Sequence, residues 1–95
     1  MTEPSSGGSP ATIDFRTFIL SLGTSAMLHL GEIPDPDGGT AVCNLGLARQ
    51  TIDLLDLLRV KTVGNLDPEE LRLLDTLLYD LHLRFAARAA APPRD

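Results

Sequence analysis

The sequence predicts an all-α fold of three helices, the second and third joined as an antiparallel αα-hairpin. Three observations carry this. Apolar residues recur at helical spacing in separate stretches of the chain. Each stretch follows a residue suited to cap a helix, namely Asp14, Asn44 and Asp67. Hydrophobic residues make up 43% of the chain but aromatics only 4%. The core must therefore be aliphatic, and a leucine-rich, β-branch-poor core favours helix over sheet.

Residues 1–12 are rich in Ser, Gly and Pro and offer almost nothing to bury, which predicts a disordered leader. Helix one starts at Asp14, whose carboxylate can accept an orphan N–H and complements the positive helix terminus. Phe15, Ile19, Leu22, Ala26 and Leu30 form its apolar stripe, widened by Phe18 and Leu20. Gly31 suits the left-handed residue that ends a helix. A second face carries Ser21, Gly23, Thr24 and Ser25. Small residues let a neighbouring helix approach closely. The neighbour can be another helix of the same chain, a helix of a second subunit, or a membrane helix packed by the small-residue rule.

The segment "GEIPDPDGG", residues 31–39, follows. Ile33 and Asp35 precede prolines, which pushes both to extended geometry. Asp37, Gly38 and Gly39 offer a turn. Thr40, Ala41 and Val42 are then expected to run back as a short hairpin arm opposite Glu32 and Ile33. The segment reads as a stiff connector; the alternative is a recognition loop made of Glu32, Ile33, Pro34, Asp35 and Pro36. A calcium loop fits poorly, because the ligand ladder and closing bidentate Glu of an EF-hand are missing.

Helix two starts after Asn44 and runs to about Thr62, with Gly64 as its stop. Leu45, Ala48, Ile52, Leu55 and Arg59 form one row; Leu47, Thr51, Leu54 and Leu58 form a neighbouring one. Arg49, Asp53 and Asp56 mark the wet face, with Arg49 and Asp53 spaced as an i,i+4 pair. Helix three opens on Asp67-Pro68-Glu69-Glu70, an N-cap, a proline at the first helical position and a glutamate placed to complete a capping box. Leu71, Leu74, Leu78, Leu81 and Phe85 form its stripe, flanked by Leu73 and Leu77. The domain is expected to span residues 13–86. Residues 87–95 read as a frayed or disordered tail that Pro92 and Pro93 end.

Helices two and three each carry an apolar face wider than the roughly 100° stripe that one packed side requires. Small domains commonly cover such an excess by oligomerising. A homo-oligomer is expected, most simply a two-fold dimer, with Leu47, Leu54, Leu58, Leu73 and Leu77 as candidate interface residues.

The formal net charge is −5 and the pI about 4.8. That excludes the clustered positive surface of a nucleic-acid binder and disfavours adhesion to an anionic membrane. Cys43 is the single cysteine, so neither an intrachain disulfide nor a thiolate metal cluster can form. The first residues show no basic region followed by an apolar run, as a secretory signal would. The apolar stretch 15–30 is interrupted by Arg16, Ser21, Gly23, Thr24, Ser25 and His29, short and polar for a span. The expected location is the cytoplasm.

The stretches "DFRTFILSLGTSAMLHLGEIPDP" and "NLGLARQTIDLLDLLRVKTVGNLDPEELRLLDTLLYDLHLRF" resemble a family of short bacterial proteins catalogued as a domain of unknown function. The likeness covers about residues 13–85 and rests on Asp14-Phe15 and on segments 28–36, 50–55, 61–66 and 77–81. It implies a small, mostly helical bacterial protein and brings no activity, cofactor or catalytic residue.

No phosphate-binding loop, dinucleotide fingerprint or nucleophile elbow occurs, and no catalytic residue, cofactor or metal is assigned. The expected function is a non-enzymatic helical interaction or scaffold protein that binds a cytoplasmic protein. One alternative is a metal-dependent module or enzyme using the chain's two histidines, His29 and His82, with a carboxylate such as Glu32 or Asp80. Another is a membrane-peripheral protein using helix one.

Overall fold

The computed structural model describes residues 14–34, 38–39 and 41–91. They form three α-helices: α1 (Phe15–His29), α2 (Leu45–Lys61) and α3 (Pro68–Ala90). Among the described residues there is no strand.

Local chemistry sets each boundary. Asp14 caps α1 by accepting from the Thr17 amide at 2.8 Å. Asn44 caps α2 by accepting from the Leu47 amide at 3.0 Å. At α3 the capping box is closed in both directions: Asp67 accepts from the Glu70 amide at 2.8 Å, and Glu70 accepts from the Asp67 amide at 2.9 Å. Pro68 occupies the first turn, where a missing N–H costs nothing. Gly31 follows α1 with φ +78, and a Cβ there would lie 3.3 Å from the backbone nitrogen of Cys43. Glycine fits this position for both reasons.

The helices run up, down and up. Arg59 reaches Asp75 and Asp56 reaches His82, so residue numbers fall on α2 as they rise on α3. This is the antiparallel hairpin. Arg16 reaches Glu69 and Glu32 reaches Arg84, which makes α1 and α3 parallel. The Asn44 amide donates to the His29 carbonyl at 2.6 Å and ties the start of α2 to the end of α1.

One stripe of each helix fills the centre: Ile19, Ala26 and Leu30; Ala48, Ile52 and Leu55; Leu74, Leu78 and Leu81. Burying a leucine or isoleucine fully is worth about 1.5–3 kcal/mol. Phe15, Leu22, Leu45, Leu58 and Phe85 close the edges of this core. Thr51, the buried polar residue of α2, donates its hydroxyl to the Leu47 carbonyl at 3.0 Å.

Two expectations change. The hairpin arm between 32–33 and 40–42 does not form among the described residues. The Gly31 and Glu32 amides are already used in closing α1, donating to the Leu28 and Met27 carbonyls. The Glu32 side chain is drawn to α3 instead. Asp35, Pro36, Asp37 and Thr40 of that segment, and the leader 1–12, lie outside the described residues. Of the tail expected over 87–95, the part to Ala90 continues α3, and residues 92–95 lie outside the described residues. Its alanines favour helix, and Arg88 anchors the last turn to Glu32 and to the Gly31 carbonyl at 3.2 and 3.4 Å.

Candidate functional site

One helix presents leucine on two sides. The inner side of α2 is the buried row Ala48, Thr51, Ile52 and Leu55. On its outer side Leu47 is 42% exposed, Leu54 49%, Leu57 52% and Val60 67%. Leu47 and Leu54 are one heptad apart, and Leu57 follows at three. Gln50 and Lys61, both exposed, complete a line at the three–four spacing of a helix–helix seam. The rim beside it carries Arg49 and Asp53, paired at 3.3 Å and largely exposed. The Arg49 guanidinium also sits 5.7 Å from the Phe85 ring centroid, which holds it toward α3.

The five leucines proposed for an interface therefore divide. Leu47 and Leu54 lie exposed on this outer row. Leu58, Leu73 and Leu77 are half-buried and pack on the core of their own chain. Leu77 sits against Gly23 of α1; a Cβ at Gly23 would stand 2.8 Å from it. The small-residue face of α1 thus serves intrachain packing at Gly23. Leu57, missed from the sequence, extends the exposed row. Its signal was the i+3 step beyond Leu54, which a grouping of Leu47, Thr51, Leu54 and Leu58 into one row obscured.

A second surface lies on the outside of α1. Thr17, Leu20, Ser21, Thr24, Ser25 and Leu28 form an open groove with Ile33 and Pro34 as its far wall, about 590 Å³ in volume. Among the described residues its lining holds hydroxyls and alkyl groups without an acid, a base or a thiol. Glu32 fixes the wall: it accepts from Arg84 at 3.1 Å and from Arg88 at 3.2 Å. Of the recognition-loop candidates, Glu32 is thus committed to α3, Ile33 and Pro34 line the groove, and Asp35 and Pro36 fall outside the described residues.

Electrostatics on the remaining surface is structural. Hydrogen bonds from Thr17, its amide first and then its side chain, hold the Asp14 carboxyl below its ordinary value of 3.8. Asp75 raises the pKa of Arg59, and Asp80, then Glu32, that of Arg84, so both stay charged. His82 directs Nε2 between the two Asp56 oxygens, at 3.0 and 3.2 Å. His29 ends α1, and Cys43 is exposed. Among the described residues no three of His, Cys, Asp and Glu are grouped to hold a metal ion. None of the described helices is long and apolar enough to cross a membrane.

Comparison with known proteins gives one family model, described as "Domain of unknown function (DUF1844)", which matches residues 12–87. No curated protein and no solved structure matches the chain.

Proposed function

We propose that this chain, which belongs to the DUF1844 family, is a non-enzymatic helical interaction protein that assembles with itself. In this reading it is a cytoplasmic scaffold. Assembly uses the outer row of α2, and the assembled bundles present their remaining surface to a protein partner.

The single observation that supports this reading is the exposure of Leu47, Leu54 and Leu57 along one side of one helix. Scattered exposed leucines need no explanation, but a contiguous row does. Interface cores are built from such rows. Folding alone does not account for this one, since the opposite side of the same helix already supplies the core. The leucines of α3 that the sequence offered for the same role, Leu73 and Leu77, are spent on packing within the chain.

Light scattering on purified protein at micromolar concentration tests the reading. The expected mass is a multiple of the monomer. Leu54→Asp should bring it down to the monomer while the helical circular dichroism persists, because the carboxylate is tolerated in water and costly in an apolar contact. A strictly monomeric wild type would overturn the reading.

A further inference from the structure

We infer that Ile33 and Pro34 form a strap that closes one side of the α1 groove, and that the charge of Glu32, gripped by Arg84 and Arg88, is what keeps the strap closed. The strap lies on a different surface from the outer row of α2, so the inference stands apart from the self-assembly reading.

The strap starts where the main chain lets go. α1 ends in a Schellman turn: the Gly31 amide donates to the Leu28 carbonyl at 3.0 Å, and the Glu32 amide donates to the Met27 carbonyl at 2.9 Å. Among the described residues, neither Ile33 nor Pro34 adds a main-chain hydrogen bond to these, and Pro34 has no N–H to offer. Yet the two residues form the far wall of the groove. Ile33 is half-buried and Pro34 exposed. A side chain has to supply the grip that the backbone does not.

Glu32 is placed for that grip. Its position in a Schellman turn commonly carries an apolar residue that packs back on the helix. A carboxylate there also faces the negative end of α1, which disfavours it. Two guanidinium groups reverse the balance. Arg84 donates to one carboxylate oxygen at 3.1 Å and Arg88 to the other at 3.2 Å. Arg88 also donates to the Gly31 carbonyl at 3.4 Å. Between them the Glu32 side chain is only 22% exposed.

The same grip can open without stranding a charge. Both arginines are more than a third exposed, and ion pairs at such sites are weak and screened by salt. On release, Arg84 keeps Asp80 at 2.8 Å. Arg88 stays in the last turn of α3, where the helix dipole favours a cation. Glu32 gains water. Closed and open states then differ by the two ion pairs and the side-chain packing of Ile33, with all three helices intact. In the open state the groove beside Thr17, Ser21, Thr24 and Leu28 loses its far wall.

NMR relaxation of the full chain reads the strap directly. Raising salt from about 0.01 M to about 1 M shortens the screening length from about 30 Å to about 3 Å. The backbone order parameter of Ile33 should fall from about 0.85 to below about 0.6 over that range, while Ile19 and Ile52 of the core stay rigid. Glu32→Gln keeps the side-chain shape and removes the charge, and should give the mobile Ile33 already at low salt. Arg84→Gln combined with Arg88→Gln should do the same, with the Leu81 amide still protected. Adding Glu32→Gln to that double variant should change nothing further. An Ile33 that stays ordered in high salt and in Glu32→Gln would overturn the inference, because packing alone would then hold the wall. So would a Leu30 amide that loses protection together with Ile33, since the charges would then secure the end of α1 and not a strap. A further loosening by Glu32→Gln in the double variant would also overturn it, by separating Glu32 from the two arginines.

Discussion

Leu54 and Leu55 are neighbours in sequence and opposites in the fold. Leu55 has no exposed surface, enclosed among Ile52, Leu74 and the rest of the core; Leu54, one residue earlier, leaves 49% of itself in water. A step of one residue rotates a helix by about 100°, which is enough to move a side chain from the centre of the bundle to its outside. Residue type is therefore a poor guide to role in this chain. Leucine is its core, its packing contact against Gly23 and its proposed contact with a second copy, and only position separates these uses.

Substitutions at the two rows should separate them most sharply. Leu55→Ala removes a fully buried side chain from a core that cannot collapse around the gap. It should cost about 2–5 kcal/mol of folding free energy, measured by urea unfolding at any protein concentration. Leu54→Ala should change the folding of the isolated bundle by less than about 0.5 kcal/mol and act on association alone. Equal losses at both positions would place Leu54 in the folding core and break the comparison.

A second substitution sharpens it from the side of α1. Gly23→Val would push a branched side chain into Leu77, where even a Cβ would stand 2.8 Å away. Overpacking of this kind costs about 1–3 kcal/mol, seen as a lower unfolding midpoint. A neutral Gly23→Val would mean that the α1–α3 contact is looser than the fold describes. Smaller again is the loss of the Asn44 cap. Asn44→Ala should cost about 1 kcal/mol, with the first turn of α2 losing amide protection while α3 keeps its own.

Much of this architecture was legible before the structure. All three N-caps, the glycine that closes α1 and the capping box of α3 act through residues within a few positions of one another, so sequence distance stands in for spatial distance. The inner row of α2 was legible for the same reason, since 3.6-residue periodicity is local. What could not be read depends on contacts between distant residues. Glu32 is held by Arg84 and Arg88 from the far end of the chain, and nothing near position 32 announces them. That grip replaced the expected hairpin arm, and Arg88 in turn carries α3 beyond its expected end. Exposure along the candidate interface was not legible: periodicity identifies an apolar side but cannot say which side the neighbouring helices take, so exposed Leu47 and Leu54 stand in one group with the half-buried Leu73 and Leu77.

The smallest effect is electrostatic and belongs to the start of α1. The Asp14 carboxyl is held below its ordinary value of 3.8, so the folded state binds its proton less readily than the unfolded chain. The stabilisation is fully present above that ordinary value and is lost as the pH falls through the folded one. The acid limb of the α1 helical signal, followed through the Thr17 amide, should therefore lie below pH 3.8. Asp14→Asn keeps a capping side chain and should abolish that limb. An unchanged limb in the variant would assign it to other carboxylates.

The central claim is that the outer row of α2 is an interface and the inner row a core. The concentration dependence of the thermal midpoint tests it most directly, because a contact between copies stabilises by mass action and a contact within one copy does not. For the wild type the midpoint should rise steadily as protein concentration increases, and for Leu54→Asp it should be independent of concentration. A wild-type midpoint that stays constant over a hundredfold range of concentration would contradict the account.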